Sequence, residues 1–132
     1  MKQLLLLPLL FISVISFGQV PNYVPTDSLV GYWAFNGNAN DESVNTNDGN
    51  VNGATLTTDR FGNTNSAYDF DGVDDNIDCG NITSLNNIPE MTISSWFKSD
   101  GNVFYSRILG KELTGNSLEG FSLQYSSASG NN

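Results

Sequence analysis

The turn-forming pairs constrain this chain more than any other feature. Asn36-Gly37, Asp48-Gly49, Asn52-Gly53 and Asp71-Gly72 punctuate it, and from Leu29 on no stretch between such pairs carries a helical period. Asn, Asp and Gly tolerate positive φ and close tight turns. Short β-prone runs separated by them are the pattern of a sandwich or barrel. The expected strands are Leu29–Phe35, Ala54–Thr58, Ser66–Phe70, Asn76–Cys79, Met91–Lys98, Val103–Leu109 and Gly120–Tyr125. Their Trp, Tyr, Phe, Ile and Leu can supply a core, which argues against reading the abundant Asn as a disordered tract.

Alternation sorts the faces of these strands. Leu29, Gly31, Trp33 and Phe35 share one face of the first run, and Val30, Tyr32 and Ala34 the other. Both faces are apolar, so a central, doubly covered strand is expected there, with Trp33 in the core. In Gly120–Tyr125 the apolar Phe121, Leu123 and Tyr125 alternate with Ser122 and Gln124, the pattern of a half-buried strand. In Met91–Lys98 the residues Met91, Ile93, Ser95 and Phe97 point one way, while Thr92, Ser94, Trp96 and Lys98 point the other. Trp96 thus falls on a polar face. It is either covered by a neighbouring loop or second layer, or it is a platform for a sugar ring, whose apolar CH face suits an aromatic plane.

The N-terminus reads as an export signal, residues 1–18. Lys2 gives the positive start, Leu4–Ile15 the apolar stretch, and Ser16 and Gly18 the small residues a signal peptidase accepts, with cleavage between Gly18 and Gln19. The run is barely long enough for a membrane span of roughly 20 residues. No Cys follows the cleavage site, so no bacterial lipid attachment is expected, and no second apolar run follows. Residues 19–28, with Pro21 and Pro25, read as an extended leader before a domain over 29–132. The expected location is secreted or cell-surface, in a bacterium, with no membrane insertion after cleavage.

Charge and missing residue types then exclude whole classes of function. Cleavage removes Lys2, one of five basic residues, and keeps all 14 acidic ones, taking the formal charge from −9 to −10. Such a surface repels nucleic acid and polyanions, and suits neutral ligands and divalent cations. The chain has no His, so Ser-His-Asp and Cys-His catalysis are impossible within it. Its single cysteine, Cys79, cannot form an intrachain disulfide and reads as a small buried hydrophobe or half of a bridge to another chain.

Three stretches, in order, resemble the LamG-like jelly-roll domains of the concanavalin A-like lectin/glucanase superfamily. They are Leu29-Val-Gly-Tyr-Trp-Ala-Phe-Asn-Gly-Asn-Ala-Asn-Asp-Glu-Ser; Gly53-Ala-Thr-Leu-Thr-Thr-Asp-Arg-Phe-Gly-Asn through Ala67-Tyr-Asp-Phe-Asp-Gly-Val-Asp-Asp to Ile77-Asp-Cys-Gly; and Met91-Thr-Ile-Ser-Ser-Trp-Phe-Lys with Ile108-Leu-Gly-Lys and Gly120-Phe-Ser-Leu. The resemblance implies an antiparallel β-sandwich of jelly-roll type. It also implies a secreted or cell-surface module that binds carbohydrate or acts in adhesion, with a glycan or cell-surface protein as partner. Family domains run through several more strands than are seen here, so the resemblance implies a domain incomplete at its C-terminus and a longer, multidomain protein.

Two chemistries remain. Asp69, Asp71, Asp74, Asp75 and Asp78 crowd around an expected hairpin turn at Gly72-Val73. Crowded carboxylates repel unless a cation or donors lie between them. Ca²⁺ takes about six to eight oxygens, and several relatives of the resembled family bind it, which points to Asp71, Asp74 and Asp75. Asp also closes turns by bonding its own backbone, so the cluster has a purely structural reading as well. The loop Asn36–Asn50, with Asp41, Glu42 and Asp48, is a second oxygen-rich candidate. Glycoside hydrolysis needs two carboxylates about 5–9.5 Å apart. The related glucanases carry theirs as Glu-x-Asp-x-x-Glu, and Glu42, Glu90, Glu112 and Glu119 do not fit that pattern. No catalytic residue is expected within the chain; the alternative function is the non-catalytic arm of a secreted glycan-active hydrolase.

Overall fold

The computed structural model describes residues 19–99, 106–111 and 120–126. The expected export signal, residues 1–18, lies outside them, as does the Gly18 side of its expected cleavage site. The described residues are all-β: six short strands in three antiparallel pairs, with Thr83–Leu85, a single 3₁₀ turn, as their only helical residues. No described helix is long and apolar enough to cross a membrane.

Four strands form one nested ladder. β1 (Asn50–Asn52) pairs with β4 (Asn76–Asp78), and β2 (Thr55–Thr57) pairs with β3 (Ala67–Asp69). Asn52 faces Asn76 and Thr55 faces Asp69, so Gly53-Ala54 on one arm lie opposite Phe70–Asp75 on the other. The longer arm loops out. This corrects the expected hairpin at Gly72-Val73: β3 and β4 do not pair with each other, because both pair with the upstream arm. The tip of the ladder is the β2–β3 connection, residues 58–66. β5 (Ser106–Lys111) pairs with β6 (Phe121–Tyr125), and a register shift between Arg107 and Leu109 sets Ile108 aside as a bulge.

Two expected strands have no ladder. Leu29–Phe35 is unpaired because side chains from the following loop occupy the positions a neighbouring strand would fill. Asn45 Nδ2 donates to the Leu29 carbonyl at 2.6 Å and Asn47 Nδ2 to that of Val30 at 2.8 Å. The Tyr32 N–H donates to Asp41, and the Tyr32 carbonyl accepts from the Glu42 N–H. Met91–Lys98 is exposed along its length and also lies outside any ladder. Val103–Leu109 gives way to β5, its first three residues lying outside the described ones. β1 is a strand that the sequence reading missed, since its Asn-Val-Asn offers a single apolar side chain.

Little is enclosed. Among the described residues only Ala39, Ala54, Asp41 and Ser43 are buried. Trp33, expected in the core, is half-buried. Its indole N–H donates to the Asn47 carbonyl at 3.0 Å, and its ring lies where a Cβ on Gly31 would be. Phe35 meets Tyr68 edge-on, centroids 5.3 Å apart, which ties the first run to the ladder. Cys79 is half-buried and free.

Candidate functional site

The tip loop builds the most site-like surface. Asp59 organises it: its Oδ1 accepts the N–H groups of Phe61 (2.8 Å) and Asn63 (2.9 Å), and its Oδ2 accepts the Asn63 side-chain amide (2.9 Å). These bonds, the Asn63 amide foremost, hold the Asp59 carboxyl below its ordinary 3.8. Gly62 turns the chain at φ +91°, and its N–H returns to the Asp59 carbonyl. A loop tied this way presents its tip residues, Arg60 and Phe61, in a fixed position.

Those tip residues meet Trp96. The Arg60 guanidinium lies 3.6 Å from the Trp96 ring centroid and 4.4 Å from that of Phe61. Trp96 remains 81% exposed and Phe61 74%. The expected strand that put Trp96 on a polar face has no ladder, and its ring is touched by a cation from a loop distant in sequence without being covered. Its neighbour Phe97 packs against Tyr125 of β6, ring centroids 5.5 Å apart.

The same loop lines an open cleft of about 720 Å³. Asp59, Gly62, Asn63, Thr64 and Ser66 line it together with Ala34 and Asn36, at the end of the first run. Between the latter two, Phe35 adopts φ +54°, an uncommon conformation for a bulky side chain that costs about 1–3 kcal/mol. Two residues on, the Gly37 N–H donates to the Asn65 carbonyl at 2.8 Å, tying the first run to the tip loop. The lining is largely amide, hydroxyl and carboxylate, the chemistry that reads sugar hydroxyls.

The two acidic candidates differ. Asp71, Asp74 and Asp75 each offer an oxygen within 4.8 Å of the others, on the looped-out segment. Two of them also do turn work: Asp71 Oδ1 accepts the Val73 N–H and Asp75 Oδ2 accepts the Asp71 N–H. The Asp74 carboxylate accepts no hydrogen bond among the described residues, while its carbonyl accepts from Asn76 Nδ2 at 3.1 Å. Asp41, in the other loop, is 5% exposed, and both of its oxygens are taken. Oδ1 accepts from Tyr32 N–H (2.8 Å) and Ser43 N–H (2.9 Å), and Oδ2 from the Ser43 hydroxyl (2.9 Å) and Asn47 N–H (2.9 Å). Burial opposes the charge on Asp41, but the donors outweigh it and hold its carboxyl below 3.8. A carboxylate saturated with donors is a structural hub, so of the loop's acidic residues Asp41 is committed to the fold. Among the described residues the grouping of three acidic ligands is Asp71, Asp74 and Asp75, and not Asp41, Glu42 and Asp48.

The sequence reading named Trp96 and the aspartate triad. It missed Arg60, Phe61 and the Asp59 hub, although Asp59-Arg-Phe-Gly-Asn63 carries the turn chemistry that marks such a loop. Comparison with protein-family models, with curated proteins and with solved structures finds no match to this chain. The LamG-like resemblance therefore rests on the three sequence stretches that carry it.

Proposed function

We propose that this chain is an exported module that binds glycan or a glycan-bearing cell-surface partner, built as a LamG-like β-sandwich of jelly-roll type. The observation that carries the reading is the exposed Trp96 ring against Arg60 of the tip loop, a loop whose other residues line an open polar cleft. An aromatic plane flanked by fixed hydrogen-bonding groups is how a protein holds a sugar, with stacking on one side and hydroxyl recognition on the other. The acidic composition and the export signal at residues 1–18 agree with a neutral or lightly charged ligand outside the cytoplasm. A glycan array probed with the exported protein tests this. Binding to a defined set of glycans is expected, and Trp96→Ala is expected to weaken it by roughly tenfold or more, the loss of one stacking contact. Retained binding in Trp96→Ala would contradict the assignment.

Calcium is the second part of this proposal. Asp71, Asp74 and Asp75 would supply carboxylate oxygens, and backbone carbonyls near Gly72 the rest. An oxygen-only donor set selects Ca²⁺ over Zn²⁺ or Cu²⁺. Bound ion would tie the looped-out segment to both of its strands and stabilise the fold by about 2.7 kcal/mol at a hundredfold excess over Kd. Melting temperature is expected to rise with Ca²⁺ and fall with chelator, and Asp74→Asn combined with Asp75→Asn is expected to abolish the difference. A melting curve unchanged across millimolar Ca²⁺ would leave the aspartates as turn formers only.

A further inference from the structure

The Arg60 side chain carries a positive charge that nothing described in the protein neutralises. Its sequence neighbour Asp59 is the obvious counter-ion, but both Asp59 oxygens are engaged by Phe61 and Asn63. Among the described residues no carboxylate or carbonyl accepts a hydrogen bond from Arg60; its interactions are with the Trp96 and Phe61 rings. Aromatic stacking holds a guanidinium in place while leaving its planar fork of donors for an anion. On a chain of formal charge −9, an exposed guanidinium that lies against two rings and is unpaired among the described residues is a local exception.

We propose that the Arg60–Trp96–Phe61 cluster selects an acidic sugar, with the guanidinium taking the sugar carboxylate as a bidentate pair and the exposed aromatic surface taking the ring's CH face. The inference rests on the glycan-binding reading and narrows it. A uronic acid places a carboxylate beside an apolar pyranose face, which matches a cation beside exposed aromatic rings. The surrounding negative surface repels a dense polyanion, so the preferred ligand carries its charge singly, within or at the end of an otherwise neutral glycan.

The test compares methyl β-D-glucuronide with methyl β-D-glucoside, which differ only at the sixth carbon. Both are titrated into the full protein at pH 7 and low salt, following the indole N–H resonance of Trp96. The glucuronide is expected to bind roughly tenfold or more tighter, the size of one charge-assisted hydrogen-bonded pair. Arg60→Gln is expected to equalise the two ligands, and Arg60→Lys, which keeps charge but loses the planar fork, to leave a preference of a few-fold. Equal binding of both sugars by the unaltered protein would overturn the acidic-sugar inference and leave the glycan-binding reading standing. Binding of neither would also overturn the acidic-sugar inference, the glycan-binding reading being decided separately by the glycan array. A glucuronide preference that survives Arg60→Gln would show that another group reads the carboxylate, and would likewise overturn the inference.

Discussion

Asp41 does more to shape the first third of the domain than any apolar side chain near it. One buried carboxylate gathers the backbone of Tyr32, Ser43 and Asn47, and so binds the extended Leu29–Phe35 run to its following loop. Replacing it with Ala would strand three N–H groups. We predict that Asp41→Ala lowers stability by about 3 kcal/mol, measured as a shift of the urea midpoint; a change within about 0.5 kcal/mol would contradict the hub assignment. Its pH dependence has a definite sign. The folded carboxyl lies below its ordinary 3.8, so the stabilisation is complete above that value and is lost as pH falls through the lowered one. Thermal melts are expected to be flat in this respect from neutrality to about pH 5 and to drop below pH 4, with the drop reduced in Asp41→Asn. The thiol of Cys79 shifts the other way: burial first, then Asp78, Asp41 and Asp48, push it above its ordinary 9.0. Slow alkylation at pH 8, relative to a free cysteine, is the expected result. None of this was legible in Asp-Glu-Ser as a string, because a donor-saturated aspartate and a cation-binding one have the same composition around them.

The nested ladder makes a prediction through its glycines. Gly53 on the short arm and Gly72 on the looped-out one both adopt positive φ, +79° and +76°. At Gly72 an added methyl meets nothing within 4 Å, whereas at Gly53 it would meet the Asp75 carboxylate. Gly72→Ala is therefore expected to cost about 1 kcal/mol from conformation alone, and Gly53→Ala roughly 2 kcal/mol or more, compared by urea denaturation. Equal costs would mean that Asp75 does not pack on Gly53. Strand positions were largely readable: Ala54–Thr58, Ser66–Phe70, Asn76–Cys79 and Gly120–Tyr125 each contain an observed strand, trimmed at its ends. Their alternating patterns and flanking Asn-Gly or Asp-Gly pairs carry the information locally. Pairing was not readable. Two-residue turn signals at Asn52-Gly53 and Asp71-Gly72 imply hairpins, yet both are interior breaks in one longer hairpin. Leu29–Phe35 misled for a similar reason: its apolar faces read as a central strand, while the Asn and Asp side chains that take its hydrogen bonds look like ordinary loop residues.

The described residues as a whole hold together more by hydrogen-bonded loops than by enclosed apolar volume. Apart from Ala39 and Ala54 their hydrophobic side chains keep solvent contact, and Met91, Ile93, Trp96 and Phe97 are all exposed. The free energy of unfolding should accordingly depend weakly on denaturant, with a urea slope at or below about 1 kcal/mol/M, the low end for small proteins. A slope well above this would indicate a larger enclosed core. The candidate site depends on the same loops. Trp96 stood out in the sequence as an aromatic on the polar face of an expected strand, but residues 91–99 join no ladder and are exposed on both faces, so that alternation does not explain its exposure. Arg60 did not stand out, because its role comes from a contact between distant segments that periodicity cannot supply. The account thus places ligand recognition on the 58–66 loop and Trp96, away from the aspartate segment. Backbone and indole N–H resonances followed during titration with the best-binding glycan locate that surface. Shifts are expected at Arg60, Phe61, Asn63, Thr64 and the Trp96 indole, with Asp71–Asp75 unchanged. Shifts concentrated at Asp71–Asp75, with the tip loop and Trp96 silent, would contradict it.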